Sequence, residues 1–116
     1  MKTYMLQTDD GAKSLGGMSL GAGITYFSVG PLHSYLKDQG AVQYSSATDK
    51  EMLEAYKIIA QTEGICSALE PMAAAAEIIF RQAKDKPKDY IICLSLCGRG
   101  EKDLDTIQEH IGKDFE

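Results

Sequence analysis

The chain has 116 residues, 44% of them hydrophobic and 25% charged, which is the balance of one small soluble globular domain spanning residues 1–116. A formal net charge of −5, with no cluster of Lys and Arg, argues against a phosphate backbone as partner, so no nucleic-acid binding is expected. No apolar run approaches the ~20 residues of a membrane helix, and the first residues lack a secretory apolar region, so no membrane association is expected.

Residues 2–7 mix aromatic and aliphatic side chains and meet Asp9-Asp10-Gly11, the pattern of a short strand ending in a turn. Residues 14–31 hold Gly16, Gly17, Gly21, Gly23 and Gly30. That density opposes a regular helix, because each interior glycine costs roughly 1 kcal/mol relative to alanine. Long loops of this kind in small domains are usually functional or disordered. Pro31 opens a short helix that runs to about Gln39, with Gly40 placed to stop it. Residues 42–47 have strand character.

Thr48 and Glu51 form a capping box at the head of a helix whose apolar stripe is Met52, Ala55, Tyr56, Ile59 and Ala60, ending near Gly64. A further helix follows, with Pro71 at its first helical position and Glu70 or a near neighbour as its cap. Met72, Ala73, Ala76, Ile79 and Phe80 form its buried face. Residues 84–88 are a charged connector. Residues 90–96 read as the strongest strand, and their nearly continuous apolar character fits a parallel strand covered on both faces. Gly98-Arg99-Gly100 breaks it, and a last helix runs from about Leu104 to Ile111. The alternation predicts an α/β fold: a partial open sheet, mainly parallel, with helices packed on it, and no internal repeat.

In open α/β sheets, ligands bind beyond the carboxyl ends of the strands, and the turn of Cys97, Gly98, Arg99 and Gly100 occupies such an end. From the local pattern alone, a plain glycine turn after a core strand is the favoured reading. The glycine-rich segment is open to two readings, an anion or cation cradle or an irregular connection, and it lacks the spacings of nucleotide-binding loops. Glu70 sits between Leu69 and Pro71 in apolar surroundings. It is either a functional carboxylate or a capping one favoured by the helix dipole. The charges of residues 84–88 and 101–105 read as solvated surface. Cys93 and Cys97 lie ~13 Å apart along an extended strand, too far for a disulfide. Cys66 and Cys93 are expected as buried thiols. An odd count of three cysteines fits a reducing cytoplasm, the expected location. With only His33 and His110, neither near a cysteine in sequence, metal ligation by His and Cys is a weak reading.

Three separated stretches resemble the tryptophan synthase β-subunit family. Gly21-Ala-Gly-Ile-Thr-Tyr-Phe-Ser-Val-Gly-Pro-Leu-His33 is similar to the family's Ser-Ala-Gly-Leu-Asp-Tyr-Pro-Gly/Ser-Val-Gly-Pro-x-His. Thr62-Glu-Gly-Ile-Cys-Ser-Ala-Leu-Glu70 resembles Glu-Gly-Ile-Ile-Pro-Ala-Leu-Glu, and Leu96-Cys-Gly-Arg-Gly-Glu-Lys-Asp103 resembles Leu-Ser-Gly-Arg-Gly-Asp-Lys-Asp. The order and spacing are the family's, and the likeness covers nearly all of the chain as a C-terminal portion.

The resemblance implies a piece of a fold-type II pyridoxal-phosphate enzyme, a lyase that joins indole to a serine-derived aminoacrylate in tryptophan biosynthesis. By motif match, Glu70 corresponds to the carboxylate beside the cofactor ring. Cys97 stands for the serine facing the pyridine nitrogen, with Gly98 next to it. The carbonyls of Ile24, Tyr26 and Ser28 correspond to those holding a monovalent cation. Thr25 stands where the family has a substrate-recognising aspartate, Phe27 replaces a proline, Gly21 a serine and Leu32 a polar residue.

The Schiff-base lysine and the phosphate-cradling loop lie upstream of these motifs in the family, and Lys13 and Lys37 do not occupy matching positions. The chain is therefore expected to be truncated or one part of a split chain, not to hold pyridoxal phosphate stably alone, and to be inactive alone. The partners expected are an upstream β-subunit segment or an α-subunit-like protein, together with self-association through open strand edges. The competing expectation is a non-catalytic binding or interaction module on the same scaffold. A weaker third is a regulator binding a small amino acid or indole.

Overall fold

The computed structural model describes residues 1–11 and 13–111, and the chain divides into two units, Met1–Ser45 and Ser46–Glu116.

In the first unit, the backbone of residues 4–8 bonds to both of its neighbours. Leu6 N–H donates to the Phe27 carbonyl at 2.7 Å, and the Leu6 carbonyl accepts from Leu15 N–H at 2.9 Å. These contacts produce isolated antiparallel bridges, Met5 with Ser28 and Gln7 with Ser14, in place of the strand expected at residues 2–7. The predicted turn forms, with Gly11 at φ +68° and its N–H donating to the Thr8 carbonyl. The glycine-rich segment is irregular as expected, apart from one 3-10 turn at Ala22–Ile24.

Helix α1, Pro31–Asp38, begins on its proline and stops as the spacing predicts. Gly40 takes φ +65°, a left-handed conformation open to glycine at little cost, and its N–H donates to the Lys37 carbonyl. Buried Ser34 on α1 accepts from Tyr4 N–H, and the Tyr4 hydroxyl donates to Asp38 at the far end of the helix. Residues 42–47, read as strand-like, are without regular structure.

The second unit is helical. In α2, Asp49–Glu63, the capping box of Thr48 and Glu51 is complete, and Gly64 closes the helix at φ +68°. Helix α3, Glu70–Glu77, is capped by Leu69, a near neighbour of Glu70, so Glu70 is its first residue and Pro71 its second, one position later than expected. It widens into a π-turn, Ile78–Gln82, where Arg81 pairs with Glu77 and with Glu51 at the head of α2. After a 3-10 turn, Gly100–Asp103, helix α4, Leu104–Ile111, closes the unit where the periodicity placed it.

The core is where α2 meets α3. Met52, Ala55 and Tyr56 of α2 are buried with Met72, Ala75 and Ala76 of α3, and Ile107 and Ile111 of α4 complete it. The alanines let the helix axes approach closely. Leu69 and Met72 are fully buried, and each stabilises the fold by roughly 1.5–3 kcal/mol. Of the predicted α3 face, Ala73, Ile79 and Phe80 are only half-buried, and Ile79 and Phe80 lie in the π-turn, where the helical periodicity of the stripe is broken.

The expected parallel sheet is not formed among the described residues. Residues 90–96 form no ladder among the described residues, and Ile91 is 84% exposed. A parallel strand needs neighbours for both edges and cover for both faces, and no described segment supplies them. Cys66 and Cys93, expected as buried thiols, are exposed with Cys97, and all three are free. Cys93 lies on that uncovered segment.

Candidate functional site

Two of the singled-out motifs meet in the second unit. The segment leading into α3, residues 66–70, packs against the turn formed by residues 97–103. Gly98 takes φ +77°, and a Cβ there would lie 3.1 Å from the Ala68 Cβ. Gly100 is buried, and a Cβ there would lie 2.8 Å from the Cys66 carbonyl oxygen and 2.9 Å from that of Ser67. Gly100 lets backbone lie on backbone, and Gly98 takes a left-handed conformation that favours glycine.

Charge closes the junction. Lys102 Nζ donates to Glu70 at 2.8 and 2.9 Å and to both Asp103 oxygens at 2.8 Å. Asp103 Oδ2 also accepts the Leu69 N–H at 2.9 Å, satisfying an amide left open at the start of α3. Asp103 is 5% exposed, so its charge is buried and paired. The Asp103 and Glu70 carboxylates hold the Lys102 ammonium above the usual lysine range. Beside it, burial pushes the Tyr56 hydroxyl up to about 12, with the hydrogen bond to Cys66 and the charges of Cys66 and Asp103 adding to the effect.

These positions correct one expectation. The charges of residues 101–105 read as solvated surface, yet Asp103 is a buried anchor and Lys102 a bridge. No local signal marked them, because their partners, Leu69 and Glu70, lie 34 and 32 residues away. Arg99 and Glu101 do remain exposed, 3.9 Å apart.

Of the predicted site residues, Glu70, Cys97 and Gly98 lie in this unit. Glu70 is the first residue of α3, and Cys97 is exposed at the mouth of the turn. Ile24, Thr25, Tyr26 and Ser28 lie in the first unit. The Thr25 hydroxyl donates to the Ala22 carbonyl at 2.9 Å, closing the 3-10 turn on itself. The Thr25 carbonyl lies so close to Gly17 that any Cβ there would collide with it. Tyr26 and Ser28 flank Phe27, whose carbonyl is taken by Leu6 N–H. Among the described residues, no group of three or more His, Cys, Asp or Glu side chains is placed to hold a metal ion. No described helix is long and apolar enough to cross a membrane.

No protein-family model matches the chain. Individual relatives do. The tryptophan synthase beta chain of Dinoroseobacter shibae is 46% identical over 114 residues, covering 98% of this chain and 27% of that protein. The tryptophan synthase beta chain of a Ruegeria species is 47% identical over 114 residues, with the same coverage. That of Roseobacter denitrificans is 47% identical over 111 residues, 96% of this chain and 27% of its own length. The chain spans about a quarter of the length of the curated relatives it matches. In sequence, this chain corresponds to a segment of the tryptophan synthase beta chain.

Proposed function

We propose that these residues form the ring-side part of a tryptophan synthase β-type catalytic unit, acting as one domain-level segment over residues 1–116, and that by themselves they make no tryptophan. The observation that carries the reading is the junction of residues 66–70 with residues 97–103. It brings the segment leading to Glu70 against the turn that holds Cys97 and Gly98.

A pyridoxal cofactor needs an amine for its aldehyde, a cradle for its phosphate and a partner for its ring nitrogen. The junction fits the last of these. Glu70 would flank the ring, and the Cys97 thiol, beside the tight Gly98 backbone, would face the nitrogen. It does not fit the covalent attachment: Lys102 is engaged by two carboxylates and stays protonated, so it is no nucleophile toward an aldehyde. The amine and the phosphate cradle would come from another segment of β-chain sequence. Residues 90–96 would then pair as a parallel strand of the larger sheet, covering Ile91 and Ile92. An α-subunit-type protein supplying indole is the further partner, and the cytoplasm is the proposed location.

Within the first unit, Phe27 gives its carbonyl to Leu6 N–H, and the neighbouring carbonyls of Ile24, Tyr26 and Ser28 would serve a monovalent cation. Thr25 carries no charge, and its hydroxyl is spent on Ala22, so it would recognise a serine substrate differently from an aspartate. That observation also favours the second reading, a non-catalytic interaction module that kept the scaffold.

The test is complementation. The chain is mixed with a separately produced β-chain segment carrying the lysine and phosphate loop, with indole, serine and cofactor, and tryptophan is measured. Recovery supports the split-site reading, and no recovery favours the module. Tryptophan formation by the chain alone would overturn both.

A further inference from the structure

We infer that Lys102 is a positioning residue whose ammonium joins the Glu70 and Asp103 carboxylates and so preassembles the ring edge of the site within this chain, before any other segment is present. The inference deepens the proposed function and rests on it for the identity of the ligand.

The geometry is specific. One ammonium contacts all four oxygens of two carboxylates at 2.8–2.9 Å. The carboxylates belong to different elements, Glu70 to the first turn of α3 and Asp103 to the end of the 3-10 turn before α4. Because both touch the same nitrogen, they lie within the ~6 Å range where like charges repel appreciably. Removing the ammonium turns a bridge into a repulsion across the junction that carries Cys97 and Gly98. Asp103 cannot simply swing away, since Oδ2 also holds the Leu69 amide and the side chain is buried. Loss of Lys102 would therefore be felt as loosening of the turn that Asp103 holds against Leu69.

Lys102 is half-exposed, which limits the energy of the bridge but leaves its amine accessible to reagents. That permits two readouts on the chain alone, without cofactor. In Lys102→Met, hydrogen exchange at the Leu69 amide should quicken about threefold to fivefold, while the Tyr56 amide in α2 keeps its protection. Lys102→Arg, which keeps the charge, should recover most of the protection. Unchanged exchange at Leu69 would overturn the inference. So would equal loss at Leu69 and Tyr56, since the lysine would then serve general stability and not this turn.

The second readout survives even if Lys102→Met fails to fold. Acylation of Lys102, followed against pH by mass spectrometry, should have its midpoint above the ordinary lysine range and fall toward it in Glu70→Gln. The same midpoint in both proteins would overturn the inference. Because neither readout involves tryptophan formation, failure here is distinguishable from failure of the complementation test.

Discussion

Substituting Gly100 by alanine tests the junction where backbone meets backbone. A Cβ at this position falls 2.8 Å from the Cys66 carbonyl oxygen and 2.9 Å from the Ser67 carbonyl oxygen, inside ordinary van der Waals contact by ~0.5 Å or more. Neither oxygen can rotate away as a side-chain tip would. The turn cannot easily withdraw either, because Asp103 is bonded to Leu69 N–H and Lys102 to Glu70. Overpacking of this kind costs about 1–3 kcal/mol. Restricting the unfolded chain returns about 0.4–1 kcal/mol, for a net loss of about 1–2 kcal/mol. With a urea m-value of about 1 kcal/mol per molar, the midpoint should fall by about 1–2 M at unchanged m. Gly16→Ala is the control: its Cβ would meet nothing within 4 Å, so its midpoint should hold or rise slightly. A Gly100→Ala midpoint at or above that of the wild type would refute the packing of these two segments.

Two further outcomes follow from the same unit. Tyr56 is 4% exposed, with its hydroxyl pushed up to about 12 from an ordinary 10.0, so the folded state favours the neutral phenol. Its contribution is present in full below pH ~10 and is lost as pH rises through ~12; two pKa units correspond to on the order of 2–3 kcal/mol. Urea midpoints measured between pH 8 and 11.5 should therefore fall more steeply for wild type than for Tyr56→Phe, and parallel curves would count against the effect. Ile91, 84% exposed beside Tyr90 and Ile92 on an unpaired segment, is an open edge. Sedimentation velocity should show association of the wild type, reduced by Ile91→Lys; a monomeric wild type would contradict it.

What was legible in the sequence is what short stretches of chain decide for themselves. Thr48 with Glu51, Gly40 and Gly64 set helix boundaries through bonds that reach no further than four residues, and each lies where its spacing placed it. Residues 90–96 carry a strand's composition, but composition supplies no hydrogen-bond partners, and the ladder is absent among the described residues. The same distinction explains Lys102 and Asp103. Their partners, Glu70 and Leu69, are 32 and 34 residues away, so nothing in the local pattern separated a buried bridge from a solvated charge run. Two of the three family-like stretches pack on each other in the second unit, but their motifs do not say which charges hold them together.

The division between local and borrowed structure bears directly on how the site would be completed. The elements around Glu70 are held by contacts internal to this chain: the Gly100 backbone against Cys66 and Ser67, Asp103 on Leu69, and Lys102 on Glu70. The approach to Cys97 is not, since it runs directly out of the unpaired residues 90–96. A segment that paired with those residues would cover Ile91 and Ile92 and, in the same act, fix the direction in which the Cys97 thiol points. On the proposed reading, strand pairing and completion of the ring-nitrogen side would be one event. Exchange protection at residues 91–95 and any gain of activity should appear together as the complementary segment is titrated in, because the backbone that would bury the strand also aims the thiol.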